Sequence, residues 1–259
     1  GLGDVYKRQI INMQKNKFLG IIPARWGSTR FPGKPLHKIA GKLLIQHVWE
    51  RAKKSKLLDE VIIATDEQKI EEVVKSFGAK VSMTSDSHQS GTDRIAEAVK
   101  SEQSCSHVIN IQGDEPMIDP KLIDQLCEKM SERTEICMIT AAVLIKDNLD
   151  LANPNVVKTV IDKENNAIYF SRSLIPYQTS ESPAAPCYRH KGIYGYTKEF
   201  LLKFVRWDAS PLELTESLEQ LRAIENGEKI KVIITDDESI GVDTPDQAAT
   251  VEKQILAES

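Results

Sequence analysis

Three cations, Arg25, Arg30 and Lys34, fall within ten residues of the run Ile21-Ile22-Pro23-Ala24-Arg25-Trp26-Gly27-Ser28-Thr29-Arg30-Phe31-Pro32-Gly33-Lys34-Pro35. Two guanidinium forks and an ammonium, interleaved with Gly27, Ser28 and Gly33, whose backbone N–H groups also donate, are the groups that hold a polyphosphate. The run is not a Walker A loop. Five residues separate Gly27 from Gly33, and Pro35 stands where that motif carries its metal-binding Ser or Thr. No G-x-G-x-x-G fingerprint occurs either. On local sequence alone the same run also describes a solvated basic loop.

Two further segments offer carboxylates. In Val108-Ile109-Asn110-Ile111-Gln112-Gly113-Asp114-Glu115-Pro116 an apolar strand delivers Gln112 and Asp114 to its carboxyl end. Magnesium takes one or two protein carboxylates together with substrate phosphate oxygens, so Asp114 beside a basic loop suits it; a plain strand-end turn is the alternative. In Ile240-Gly241-Val242-Asp243-Thr244-Pro245-Asp246-Gln247, Thr244 and Gln247 form a capping box with Pro245 at the first helical position. That cap leaves Asp243 over, available as a second ligand.

These residues need a frame to bring them together. The 259 residues bury enough surface for one large α/β domain, with 41% hydrophobic and 28% charged residues. No apolar run approaches the roughly 18 residues of a membrane span. A net charge of -4 provides no general attraction to nucleic acid or anionic membrane, so an anion site must be local. Cys105, Cys127, Cys137 and Cys187 are widely spaced without a C-x-x-C pair, the pattern of buried free thiols in a cytosolic protein. Residues 1–12 precede Met13 without a secretory pattern, and are read as a non-native leader before a single domain over 13–259.

Short apolar runs alternate with amphipathic helical patterns, which predicts a largely parallel, Rossmann-like sheet. Strands are expected at Phe18 to Pro23, Glu60 to Ala64, His107 to Ile111, Ile136 to Val143 and Lys229 to Thr235. Helices are expected at Leu43 to Lys54, from a Thr65–Gln68 capping box to Gly78, at Gly91 to Lys100, at Pro120 to Met130 capped by Asp119, and after Asp243. A single helix is expected from Pro211 to Asn226, with Leu214, Leu218 and Leu221 facing the sheet and Glu216 and Gln220 four apart beside them. The middle breaks the alternation. Val156 to Ile161 and Ala167 to Ser171 predict a β-hairpin, Gln178 to Pro186 a polar loop, His190 to Tyr196 a strand and Lys198 to Val205 a short helix.

From Phe18 almost to the C-terminus the chain resembles the 3-deoxy-manno-octulosonate cytidylyltransferase (CMP-Kdo synthetase) family. The resemblance rests on ordered motifs: IIPARWGSTRFPGKPL, ATD at 64–66, HQSGTDR at 88–94, INIQGDEPMI, NPNVVK at 153–158, YFSRS at 169–173, RHKGIYGY, SPLE with LEQLR, and GVDTPD. The basic loop is shared with sialic-acid-activating cytidylyltransferases, whereas QGDEP is typical of the Kdo enzymes. The resemblance implies a single glycosyltransferase-A-like nucleotidyltransferase domain with a β-hairpin arm. It also implies a homodimer built partly from residues 150–200, and cytoplasmic action in lipopolysaccharide synthesis, with no nucleic-acid or membrane-inserted partner. The implied substrates are CTP and Kdo, and the implied cofactor is Mg2+. The implied nucleotide-binding residues are Ala24, Arg25, Ser28, Arg30, Lys34, Ser90, Gly91, Thr92 and Arg94. The implied metal ligands are Asp114 and Asp243, which with Arg25 and Lys34 make up the catalytic set, and the implied sugar site is Gln112, Arg172, His190, Tyr194, Glu216 and Gln220.

Overall fold

A computed structural model describes residues 16–27, 31–179 and 185–257. The expected leader, Ser28 and Arg30, and the centre of the loop expected at Gln178 to Pro186 lie outside the described residues.

The apolar runs form β1 (Phe18–Ala24), β2 (Lys38–Ile39), β3 (Lys42–Leu43), β4 (Glu60–Thr65), β5 (Lys80–Met83), β6 (His107–Asn110), β7 (Met138–Leu144), β8 (Lys158–Ile161), β9 (Ala167–Ser171), β10 (Tyr188–Thr197) and β11 (Lys231–Ile234). The helices are α1 (Leu44–Ala52), α2 (Gln68–Ser76), α3 (Gly91–Lys100), α4 (Pro120–Glu132), α5 (Asn148–Ala152), α6 (Lys198–Phe204), α7 (Pro211–Glu216), α8 (Leu221–Glu225) and α9 (Pro245–Ala257). The main sheet runs β11-β7-β10-β6-β1-β4-β5, and β1 pairs in parallel with both β4 and β6. The β4–β5 and β7–β11 pairs are also parallel, so the central sheet is mostly parallel. One strand departs from that rule: β10 enters between β6 and β7, antiparallel to both. It also carries the expected hairpin, through the antiparallel β8–β9 pair.

One face of the sheet is covered by Ile45, Val48, Ile70, Val74, Leu122 and Leu126, the other by Ile95, Val99, Phe200, Phe204 and Leu221. These are the apolar stripes of α1, α2 and α4, and of α3, α6 and α8, at the spacing that lets a helix bury one side. A third cluster, of Ile39, Leu44, Val242, Ala248 and Val251, docks α9 onto the small β2–β3 sheet. This packing returns the end of the chain to the loop that follows β1.

Two local expectations are corrected. Helix α2 starts at Gln68 with Glu67 as its cap, its side chain accepting from Lys69 N, while Thr65 ends β4 and accepts from Glu67 N. The helix expected over Pro211 to Asn226 is two short helices, because Ser217 adopts a left-handed φ of 54° and ends the first. Tertiary hydrogen bonds force that break: Glu216 accepts from Ser171 Oγ at 2.6 Å and Arg172 N at 2.9 Å, while Arg172 Nε donates to Glu216 O at 2.8 Å. Leu214 is consequently 69% exposed, and only Leu218 and Leu221 face the core.

Candidate active site

The loops after β1 and β6 leave neighbouring parallel strands at the same edge, with Phe18 opposite His107 and Ile21 opposite Asn110. Because the chain continues from β1 to β4 on the other side, this is where strand order reverses, the place in open α/β sheets at which ligands bind. Gly113 permits the approach. A Cβ there would stand 2.7 Å from Pro23 O, a backbone atom that cannot give way.

The result is a cleft of about 420 Å3 lined by Ala24, Arg25, Gly27, Lys34, His88, Ser90, Gly91, Arg94, Gln112, Asp114 and Asp243, among others. Three separated motifs therefore meet in it. Lys34 opens a short 3-10 helix whose N-cap, Gly33, has φ 68° and donates to Trp26 O. Its Nζ lies 2.7 Å from Asp114 Oδ2 and 3.1 Å from Asp243 Oδ1, so the two carboxylates already share one cation. Val242 N donates to Asp114 O at 2.8 Å and ties the two acidic segments together. The cap of α9 is as expected, with Gln247 N donating to Thr244 Oγ1 and Thr244 N to Gln247 Oε1. Asp243 is thereby left facing the cleft.

The opposite wall is the N-terminus of α3. Ser90 and Asp93 form a reciprocal capping box, and the first turn of the helix presents Gly91 to the cleft, a place where backbone N–H groups favour an anion. Arg94 is buried and committed: Nη2 donates to Asp66 Oδ2 at 2.7 Å and Nη1 to Thr84 Oγ1 at 2.6 Å. Asp66, in the ATD motif, is thus a positioning partner that sequence reasoning did not single out. Thr92 is buried behind the helix N-terminus and donates from Oγ1 to Glu219 Oε2.

Of the residues implied for a sugar, only Gln112 lines this cleft. His190 and Tyr194 project from β10 in an aromatic row with Phe170, and His190 Nε2 lies 3.0 Å from Thr140 Oγ1. Burial drives the His190 imidazole down to about 3, with Lys191 adding to the effect, so it is neutral. Arg172 spends its guanidinium on the carbonyls of Pro154, Glu216 and Ser217. Glu216 is likewise engaged, whereas Glu219 is only partly so: burial raises its carboxyl, Oε2 accepts from Thr92 Oγ1, and Oε1 makes no hydrogen bond and faces Arg222 Nη2 at 3.8 Å. Gln220 Nε2 is also buried without a partner. Helical spacing pointed to Glu216 and Gln220 as a pair, but the break at Ser217 separates them, and LEQLR itself held the better signal.

Asp114 and Asp243 offer hard oxygens around one cation position, and no group of three or more His, Cys, Asp or Glu placed to hold a metal occurs among the described residues. Such a donor set fits magnesium completed by phosphate oxygens.

Fold and cleft are those of a nucleotide-binding α/β transferase, with Arg25, Lys34 and the N-terminus of α3 lining one cleft. Residues 19–230 match the family described as cytidylyltransferase. The chain is 47% identical over 241 residues to 3-deoxy-manno-octulosonate cytidylyltransferase of Solibacter usitatus, covering 93% of this chain and 95% of that one. It is 51% identical over 245 residues to the protein of the same name from Thermodesulfovibrio yellowstonii, covering 90% and 96%. A solved structure of CMP:2-keto-3-deoxy-manno-octonic acid synthetase complexed with CTP superposes with a TM-score of 0.90 at 39% identity, over 94% of this chain and 100% of that one. The chain belongs to the 3-deoxy-manno-octulosonate cytidylyltransferase family and is a nucleotidyltransferase. A synthase of 4-diphosphocytidyl-2C-methyl-D-erythritol, 15% identical with a TM-score of 0.65, shares the fold.

Proposed function

We propose that this protein joins CTP to 3-deoxy-manno-octulosonate, releasing pyrophosphate and forming CMP-Kdo for lipopolysaccharide synthesis. The observation that carries the reading is the meeting of Lys34, Asp114 and Asp243 in one cleft faced by a helix N-terminus. The anomeric hydroxyl of the sugar attacks the α-phosphorus, and the bond to the pyrophosphate oxygen breaks in line as the hydroxyl proton is lost. Both substrates are anions, so the protein must suppress their repulsion and stabilise charge on the α-phosphate and the leaving group. Lys34 and Arg25, which line the cleft, would do that work, with Arg30 completing the basic loop in sequence and Gly91 lending its backbone at the helix N-terminus. Asp114 and Asp243 would hold Mg2+, which when bound supplies charge neutralisation at the phosphates.

Gln220 Nε2, buried without a hydrogen bond, and Glu219 Oε1, buried with the Arg222 guanidinium at 3.8 Å, support a polyol site beyond Gln112, toward β10. Gln112 leads there: a Cβ on Gly192 of β10 would touch its side chain at 3.4 Å. No helix among the described residues is long and apolar enough to cross a membrane, and cytoplasmic action belongs to the same proposal. So does a homodimer through the hairpin region. There, among the described residues, β9 pairs as a strand with β8 alone, and Ile168, Leu174 and the 87%-exposed Tyr177 expose apolar side chains. The test is pyrophosphate release with CTP and magnesium in the presence of Kdo, of sialate, or of no sugar. Release with Kdo alone is expected. Release only with sialate would reassign the sugar, and no release from a folded protein that binds CTP would remove the activity.

A further inference from the structure

The two aspartates sit on loops that have no strand in common, and one buried cation joins those loops from behind. Lys191 of β10 has a side chain only 3% exposed. Its Nζ donates to Ser239 O and Ser239 Oγ, each at 2.7 Å. It also faces Glu115 Oε2 at 3.3 Å and Asp237 Oδ2 at 3.6 Å, carboxylates whose side chains are 11% and 6% exposed. Glu115 directly follows Asp114, and Asp237 and Ser239 lie on the segment that leads from β11 to Asp243. Glu115 Oε2 has no hydrogen bond of its own, so the Lys191 charge is what balances it there. Asp237 is otherwise spent on backbone, accepting from Ser239 N at 2.9 Å and from Asp119 N at 3.4 Å.

This arrangement is costly unless it is complete, because a buried ammonium and two buried carboxylates are tolerable only while each faces the other. The pairing of β10 with β7 shifts register immediately after Lys191, and such an irregularity re-aims the side chains beside it. We infer that Lys191 is a positioning residue for catalysis, holding the Asp114 and Asp243 segments at the separation at which both carboxylates reach one cation. It touches neither substrate nor the reacting phosphate. The cleft-side contacts fit this role: Val242 N reaches Asp114 O, and Lys34 spans the two carboxylates on the far side of the same pair of loops. The inference rests on the reading that those two aspartates hold magnesium.

The test is Mn2+ affinity, read by electron paramagnetic resonance with saturating CTP, in wild type and Lys191→Met, a substitution that keeps the volume and removes the charge. CTP affinity in EDTA is measured alongside by calorimetry. Removing a group bonded directly to a metal ligand typically weakens metal binding ~10- to 100-fold; Lys191 acts one contact further out, so Lys191→Met is expected to weaken Mn2+ binding by roughly 10-fold, the low end of that range, with CTP affinity in EDTA unchanged. A lowered melting temperature together with unchanged Mn2+ affinity would make Lys191 merely structural and overturn the inference. Should Lys191→Met not fold, Ser239→Ala withdraws one acceptor while both carboxylates stay paired. A reduced Mn2+ affinity in Ser239→Ala supports the role, and an unchanged one overturns it. If wild type with CTP binds no Mn2+, the metal reading itself fails and takes this inference with it.

Discussion

Lys34 Nζ stands 2.7 Å from Asp114 Oδ2, an ion pair formed across a sequence separation of 80 residues between the loops after β1 and β6. The same ammonium reaches Asp243 at 3.1 Å, so a cation is held where the two acidic segments converge. Charge balance in the cleft is therefore built around one cation position.

Asp114→Asn should abolish most turnover and leave the fold intact. The amide keeps the shape but gives up the charge a hard cation needs, and the side chain is partly exposed, so little packing is lost. Several kcal/mol of transition-state stabilisation correspond to ~100-fold or more in rate. Steady-state kinetics beside a thermal melt checks this; near-normal kcat would remove Asp114 from the role.

Lys34→Ala should lower kcat at saturating CTP by about 100-fold, the range seen when one preorganised charge donor is lost. Melting should shift by only a few degrees, roughly the effect of 1 kcal/mol. Asp114 and Asp243 lose their shared partner, but both are open enough to water to tolerate it. A large fall in melting temperature with an unchanged rate would reverse the assignment.

Glu216→Ala should act on stability first. It removes the acceptor of Ser171 Oγ and of Arg172 N, and charged hydrogen bonds of this kind contribute about 1.5–3 kcal/mol each. Denaturant unfolding should show a loss of ~2 kcal/mol or more. Unaltered stability with a raised KM for sugar would instead return Glu216 to the substrate.

His190 gives a pH signature. Its imidazole titrates near 6.5 when unfolded and about 3 when folded, chiefly because it is buried. Between those values the unfolded chain binds a proton that the folded chain does not. Its contribution to stability is therefore complete above 6.5 and lost as pH falls, by ~1.4 kcal/mol per unit. From pH 7 to 5, wild type should lose about 2 kcal/mol more than His190→Gln in urea unfolding. Parallel losses in the two proteins would place His190 in contact with water.

The linear sequence determined the elements and their chemistry wherever the cause is local. Apolar runs flanked by turns made β1, β4, β6 and β7, and the caps at Asp119, Ser90 and Thr244 began their helices because a side-chain oxygen needs only the next turn's N–H groups. The basic loop, QGD and GVD were legible because each places its polar residues just after an apolar run or inside a cap. What no local rule contains is long-range. The antiparallel entry of β10 between β6 and β7, and the break at Ser217, depend on partners far away in the chain, as do the commitment of Arg172 to carbonyls and of Arg94 to Asp66. So does the convergence of Lys34, Asp114 and Asp243, which requires α9 to dock on β2–β3 through Ile39, Leu44, Val242 and Val251. Hydrogen bonds and charges report only what touches them, and what touches these residues is decided by packing.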